Sequence, residues 1–129
     1  MTSLLLDTHI ALWWLADDPR LSPPVRRAVD GADTAYLSAA STWEVAIKIA
    51  IGKLTLELPD GQSFATACSD QGFSLVPVTH EDAWAIGTLP DSRTDPFDRL
   101  IAATARRRGW TVVTEDPALR QLGIPHLPL

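Results

Sequence analysis

The chain alternates short apolar runs of β-strand character with helix-like runs, and four acidic residues lie at these junctions. Asp7 closes SLLLD, Glu44 follows AYLS by a short stretch, Asp98 opens DRLIAATARRRG, and Asp116 ends WTVVTED. In an open parallel α/β sheet, the carboxyl ends of the strands share one edge, and ligands bind there. We therefore expect the four carboxylates to meet in one crevice. An oxygen-rich site of this kind suits a hard divalent cation.

The alternation predicts an α/β fold in which a central, mostly parallel sheet of four to five strands is flanked by helices on both faces. Strands are predicted over residues 4–7, 35–38, 74–78 and 111–114, with an edge segment over 125–129. Helices are predicted over residues 11–15, 23–30, 42–51, 62–69, 81–89, 96–108 and 117–122. The prolines mark the boundaries between these elements.

Length and composition predict one domain, residues 1–129, in a cytoplasmic protein without a membrane segment. No apolar run approaches the ~20 residues that span a bilayer, and Asp7 interrupts the LLL run that would begin a signal peptide. The lone Cys68 cannot form an internal disulfide and is interpreted as a small core residue. The net charge of −5 is weak evidence against nucleic-acid binding, since a local site can oppose the total.

Helix capping is the alternative explanation for three of the acids. Ser41-Thr42-Trp43-Glu44 has the form of a capping box, Asp95 precedes Pro96 and Asp98 in the same form, and Asp116 precedes a proline. Negative side chains near a helix N-terminus are favoured by ~0.3–1 kcal/mol each. For any one of these acids taken alone, capping is the simpler explanation.

Asp7 and the clustering of the acids favour a cation. Asp7 interrupts a strand that should be buried on both faces, where an unpaired charge is costly. At ~5 Å and an effective dielectric of ~20, each carboxylate pair would repel by ~3 kcal/mol. Helix dipoles cannot offset several such pairs, whereas a divalent cation can.

Three segments resemble the PIN-domain ribonucleases, and within them the VapC-like toxins of bacterial toxin–antitoxin pairs. The segments are LLLDTHIALWWL, SAASTWEVAIKIAIGKL and DPFDRLIAATARRRGWTVVTED, and the resemblance extends from Leu4 to about Ile124. It implies a compact domain with a Mg²⁺- or Mn²⁺-dependent endoribonuclease site, an antitoxin partner and a homodimer.

The same resemblance assigns roles to individual positions. Asp7, Glu44 and Asp98 match the central acids of the family, and Asp116 matches a fourth, more variable one. Thr114 matches a hydroxyl that supports the site. We expect Asp7 and Asp98 to contact the metal most directly, with Glu44 and Asp116 completing the shell.

Residues beside the acids have both functional and structural interpretations. His9 is either a proton shuttle or a helix-start histidine packed beside the sheet. Arg99 either reaches a substrate phosphate or pairs with a neighbouring acid, and Lys48 and Lys53 either contact phosphate or lie on a solvated helix face. Arg106 to Arg108 are explained best by the helix C-terminus that they occupy.

The five tryptophans are many for a chain of this length. Trp43, Trp84 and Trp110 are predicted at core or boundary positions. Trp13 and Trp14 point about 100° apart on a helix, so one of them should face outward, where it packs against a partner protein or stacks on an RNA base.

Two rival classes remain beside the nuclease. A receiver-type phosphoacceptor domain requires an acid pair beside the first strand and a lysine after the last, whereas Thr8 and His9 follow Asp7, and Glu115 follows Thr114. A catalytically silent interaction module on the same fold would not need the intact set of acids. Metal-dependent cleavage of RNA separates the nuclease from both.

Overall fold

The computed structural model describes residues 2–90 and 95–127, which form a five-stranded sheet in the order β3-β2-β1-β4-β5. All four strand pairings are parallel. The strands are β1 (Ser3–Leu6), β2 (Thr34–Ser38), β3 (Ser74–Val76), β4 (Thr111–Val113) and β5 (His126–Leu127). The predicted α/β architecture is confirmed, and the sheet is fully parallel over the described strands.

Seven α-helices connect the strands within the described residues. They are α1 (Thr8–Ala16), α2 (Pro23–Asp30), α3 (Ala39–Ala50), α4 (Phe64–Asp70), α5 (His80–Trp84), α6 (Pro96–Arg108) and α7 (Pro117–Arg120). Short 3₁₀ segments occupy Pro59–Gly61 and Ala85–Thr88. No helix in the described part of the chain is long and apolar enough to cross a membrane.

The central strand β1 is buried on both faces because successive side chains point to opposite sides of the sheet. Leu4 and Leu6 pack into one cluster with residues of α1, α2 and α4, including the buried Cys68. Leu5 packs into the other cluster, which is formed largely by α6. All three leucines are fully buried. This arrangement brings the end of β1, and with it Asp7, to the middle of the sheet edge.

Helices α1, α3 and α5 differ from the prediction in their bounds, and α1 begins at Thr8, three residues before the predicted start. Helix α3 begins at Ala39 instead of residue 42, because Ser38 caps it by accepting a hydrogen bond from the N–H of Ala40 at 3.0 Å. Glu44 therefore lies well inside the helix, and the predicted capping box from Ser41 to Glu44 is wrong. The helix predicted over 81–89 is the short α5, which has a true capping box between Thr79 and Asp82.

Other boundaries agree more closely. Helix α6 has the predicted bounds, with Asp95 as its cap and Gly109 ending it in the left-handed conformation. The predicted edge segment contains β5, while residues 128–129 lie outside the described residues.

Candidate active site

Asp7 and Thr114 lie side by side because β1 and β4 are neighbouring parallel strands. The Thr114 hydroxyl donates to Oδ2 of Asp7 at 2.8 Å, and the backbone N–H of Asp7 donates to the carbonyl of Val113. The N–H of Asp116 donates to the same hydroxyl at 3.0 Å. Asp7 and Thr114 are buried. A single hydroxyl thus joins two of the acids.

Glu44 reaches the same sheet edge from the interior of α3, where only 2% of its surface is exposed. Its Oε2 accepts a hydrogen bond from Lys48 at 2.8 Å, four residues along the helix. Its Oε1 and the Oδ1 of Asp7 are buried and accept no hydrogen bond from any residue in the described ranges 2–90 and 95–127. Leaving a buried acceptor without a donor costs ~1–3 kcal/mol, and more for a charged one. Two buried oxygens in this state are consistent with a site built for a cation.

Asp98 lies in the first turn of α6, close enough to the other acids to be affected by their charges. Burial, followed by the charges of Asp7, Asp95, Glu44 and Asp116, raises the pKa of Asp98 to about 8. Burial also raises the pKa of Asp7, and the charge of Glu44 adds to this, although the Thr114 hydrogen bond opposes it. The structure therefore brings the four acids together at one edge of the sheet. We call this group of acids the acid cluster.

Capping and clustering coexist in Asp116, whereas Asp95 lies outside the acid cluster and caps α6. Asp95 accepts a hydrogen bond from the N–H of Asp98 at 3.0 Å, as predicted for the cap of α6. Asp116 accepts one from the N–H of Ala118 at 2.9 Å and so caps α7. Asp7 occupies the cap position of α1, but its side chain makes no capping hydrogen bond. Of the four acids, Asp7 is the one whose carboxylate is explained least by helix geometry.

The acid cluster is not a closed coordination shell. Among residues 2–90 and 95–127, no three aspartate, glutamate, histidine or cysteine side chains are already grouped closely enough to hold one ion. The donors are all carboxylate oxygens, which suit Mg²⁺, an ion that keeps several waters and takes one or two carboxylates directly. The buried Oδ1 of Asp7 and Oε1 of Glu44, which accept no hydrogen bond within the described part of the chain, also fit such an ion.

The cationic residues have specific partners. Lys48 pairs with buried Glu44. This arrangement is neither the phosphate contact nor the solvated helix face predicted for it. The pairing with Glu44 could have been predicted from the Glu-to-Lys spacing of four. Arg107 and Arg108 bind Asp82, which supports their structural interpretation. Arg99 donates to the carbonyl of Pro90 at 2.9 Å, among its other interactions.

Several aromatic side chains lie elsewhere than predicted. His9 is exposed beside Asp7 and Asp116 and is not packed against the sheet. Trp43 and Trp84 are 59% and 88% exposed, so the prediction of core or boundary positions is wrong for them. Both tryptophans of α1 are partly buried, with Trp14 packed edge-on against Phe73 and Trp13 beside His9.

Sequence reasoning missed one buried contact. The hydroxyl of Thr8, directly after Asp7, donates to the hydroxyl of Ser41 at 2.8 Å. Ser41 precedes Glu44 by three residues, so this contact joins the start of α1, beside Asp7, to the part of α3 that carries Glu44. No local signal in the sequence pairs two hydroxyls 33 residues apart.

Comparison with known proteins identifies the family to which this chain belongs. The PIN-domain family profile matches residues 4–125. The chain belongs to the PIN-domain family. Ribonuclease VapC22 of Mycobacterium tuberculosis is 37% identical over 121 residues, which cover 93% of this chain and 92% of that protein. The resemblance inferred from the three sequence segments is confirmed.

Solved structures share the PIN fold at lower sequence identity. VapBC2 from Rickettsia felis, bound to a DNA fragment from the promoter, has a TM-score of 0.65 at 12% identity, covering 97% of both chains. DNA-bound VapBC from Salmonella typhimurium has a TM-score of 0.65 at 17% identity, covering 98% of this chain and 97% of that one. VapBC-5 from Mycobacterium tuberculosis has a TM-score of 0.59 at 22% identity, covering 95% and 92%.

Removing the Thr114 hydroxyl should weaken metal binding in this PIN domain. In Thr114→Val, Asp7 loses the hydrogen bond that holds its pKa down, so its ionised form is less available to a cation. We expect Mg²⁺ affinity to fall about 10-fold or more, as for other residues that orient metal ligands. Isothermal titration would measure it. Thr104→Val is the matched control, because Thr104 is equally buried but its hydroxyl donates to the carbonyl of Leu100 and not to an acid. Equal affinities in the two variants would contradict the prediction.

Without a divalent cation, stability should fall as the pH rises from about 4 to about 8. Unfolded Asp98 releases its proton near the ordinary value of 3.8, whereas the folded protein keeps it until its raised pKa of about 8. The folded state binds more protons in this window, so the free energy of unfolding decreases with pH. Thermal unfolding in EDTA at pH 5 and pH 8 would measure the difference, which should be smaller in Asp98→Asn. An equal change in stability between pH 5 and pH 8 in the parent protein and in Asp98→Asn would show that Asp98 is not the source of the pH dependence.

Proposed function

We propose that this chain is a metal-dependent endoribonuclease that acts as the toxin of a toxin–antitoxin pair. The observation that carries the proposal is the acid cluster, in which buried oxygens of Asp7 and Glu44 have no hydrogen-bond donor among the residues that the structure describes. The 37% identical relative is a ribonuclease, which supports the reaction class. An RNA substrate is consistent with a cytoplasmic location.

In this proposal Asp7 and Asp98 hold Mg²⁺ or Mn²⁺ directly, and Glu44 and Asp116 complete the shell. When bound, the metal supplies an activated water and neutralises charge on the phosphate and the leaving oxygen. Thr114 fixes the orientation of Asp7, and Lys48 holds Glu44 in place until a cation competes for it. His9 is exposed beside Asp7, where it could exchange a proton with the reaction.

The partners are proposed to be an antitoxin and a second copy of this chain. Structural neighbours are toxin–antitoxin complexes, which supports an antitoxin partner. Exposed apolar side chains on α3 and on the edge strand β3, namely Trp43, Ile47 and Leu75, support a homodimer. Light scattering of the purified chain tests the dimer, and a monomer at every concentration would contradict it.

Cleavage of RNA with and without a chelator tests the proposed reaction. The purified protein should cut single-stranded or structured RNA internally in Mg²⁺ or Mn²⁺, lose this activity in EDTA and recover it when metal is restored. Sequencing the new RNA 5′ ends after brief expression would identify the target. Binding of an antitoxin without any cleavage, in either metal, would instead indicate a catalytically silent interaction module.

A further inference from the structure

Two clefts meet beside the acid cluster and share three side chains. The first, of about 350 Å³, contains Asp7 and Asp116, and we call it the acid crevice. The second, of about 480 Å³, lies between α1 and the segment after α3, and we call it the flanking cleft. His9, Trp13 and Arg20 line both clefts. The clefts therefore form one continuous surface that leads away from the acids.

The flanking cleft carries a local excess of positive charge on an acidic protein. Its lining includes Arg20, Lys48 and Lys53, with Asp18 as the one acidic residue among its described lining residues. Arg20 pairs with Asp18 at 2.7 Å and Lys48 with Glu44 at 2.8 Å, while Lys53 is exposed. The whole chain has a net charge of −5, so a phosphate chain is repelled by the protein overall but is favoured here.

The wall between the clefts offers an aromatic surface. Trp13 lies with its ring centroid 6.3 Å from that of His9, and the guanidinium of Arg20 lies 5.0 Å from the Trp13 ring centroid. Leu12, Leu54 and Leu56 line the rest of the flanking cleft with apolar surface. A positive groove combined with aromatic side chains is the usual means by which proteins bind single-stranded nucleic acid, because every base has a face that can stack.

We propose that the flanking cleft binds the single-stranded RNA segment next to the cleaved phosphate. One base stacks on Trp13, and neighbouring phosphates contact Lys53 and Arg20. The proposal rests on the proposed ribonuclease function and adds the direction in which the RNA leaves the acids. A strand with its phosphate at Asp7 reaches the flanking cleft by crossing the wall that the two clefts share.

Charge reversal and removal of the aromatic ring test the proposal separately. We would compare Lys53→Glu with Arg27→Glu, which makes the same charge change at an exposed residue of α2 outside both clefts. Trp13→Leu would be compared with Trp84→Leu, which removes an 88% exposed ring that lines neither cleft. Cleavage of a labelled single-stranded RNA of about 12 nucleotides gives kcat and KM. Fluorescence anisotropy at several salt concentrations gives its Kd in an Asp7→Asn background.

Lys53→Glu and Trp13→Leu should each raise KM and Kd by about tenfold, with kcat little changed, whereas the two controls should resemble the parent. Lys53→Glu should also reduce the salt dependence of Kd by about the contribution of one phosphate contact. Cleavage with unchanged KM and Kd in both cleft variants would overturn this proposal and leave the ribonuclease intact. If Lys53→Glu and Trp13→Leu weaken binding of the antitoxin but leave KM and Kd for RNA unchanged, the proposal is also overturned, because the cleft then belongs to the antitoxin. If the parent protein does not cleave RNA, the ribonuclease proposal fails, and the Kd comparison still decides whether the cleft binds RNA.

Discussion

Asp7→Asn and Asp98→Asn are each expected to reduce RNA cleavage by about a thousandfold or more, because a lost metal ion removes several kcal/mol of transition-state stabilisation. Asparagine preserves the size of the side chain but removes the negative charge. The Thr114 hydroxyl can still bond to the carboxamide in Asp7→Asn, so the fold around β1 and β4 should persist. Circular dichroism would check this, and initial rates in Mg²⁺ together with titration calorimetry would give activity and metal affinity.

Asp95→Asn is the control for these variants. Asp95 lies near the acid cluster, and its charge contributes to the raised pKa of Asp98, but its carboxylate caps α6. Asparagine is about as good a cap as aspartate, so α6 should remain intact and most of the activity should be retained. Wild-type cleavage and metal binding by Asp7→Asn and Asp98→Asn would refute the assignment. A loss as large in Asp95→Asn would show that general charge, not metal ligation, matters.

Asp82→Ala is expected to lower the free energy of unfolding by about 2–4 kcal/mol, near the cost of breaking a buried ion pair. Asp82 is fully buried between α5 and the end of α6. It accepts hydrogen bonds from Arg107 at 2.7 Å, Arg108 at 2.6 Å and the N–H of Thr79 at 3.0 Å. Alanine would leave both guanidinium groups without this partner and would remove half of the capping box. Because both arginine side chains keep some contact with solvent, the loss should lie toward the lower end for buried pairs.

Urea denaturation of Asp82→Ala, with Asp30→Ala as an exposed control, measures this loss. The pH dependence gives a second check. Burial alone would raise the pKa of Asp82, but hydrogen bonds from Arg108, Thr79 and Arg107 hold it well below its usual range. Its contribution is therefore present above pH ~4 and is lost as the pH falls further, so the two proteins should converge in acid. If the free energies of unfolding of Asp82→Ala and the parent protein differ by less than ~0.5 kcal/mol at pH 7, as for an ordinary surface substitution, the prediction is wrong.

Local sequence signals were sufficient to predict an element when the residues that start and end it lie within the same segment. Helix α6 was predicted with correct bounds because Asp95 and Pro96 start it and Gly109 ends it. Strand β1 was predicted from an uninterrupted apolar run, and its burial on both faces follows from its central place in the sheet. The capping box assigned to Ser41 failed because an equivalent cap, Ser38, begins the helix three residues earlier.

Exposure of single side chains was less predictable. Trp84 was predicted at a core or boundary position but is 88% exposed, because the five-residue helix α5 buries Asp82 and not Trp84. Cys68 is buried as predicted, and burial raises the pKa of its thiol to about 12. A small apolar residue is readily buried in a packed helix. Which face of a short helix packs against the rest of the protein, however, depends on the whole fold.

By itself, the sequence determined the alternation of strands and helices, the family, and the expectation that four acids lie at one edge of a parallel sheet. These follow from patterns that repeat over a few residues and from the rule that parallel strands end together. Only the tertiary structure decided which atoms meet. The hydrogen bond from Thr114 to Asp7 joins residues 107 positions apart. The tertiary structure also places His9, Trp13 and Arg20 where they line both the acid crevice and the flanking cleft. Contacts between distant segments depend on packing across the whole core, which no local pattern contains.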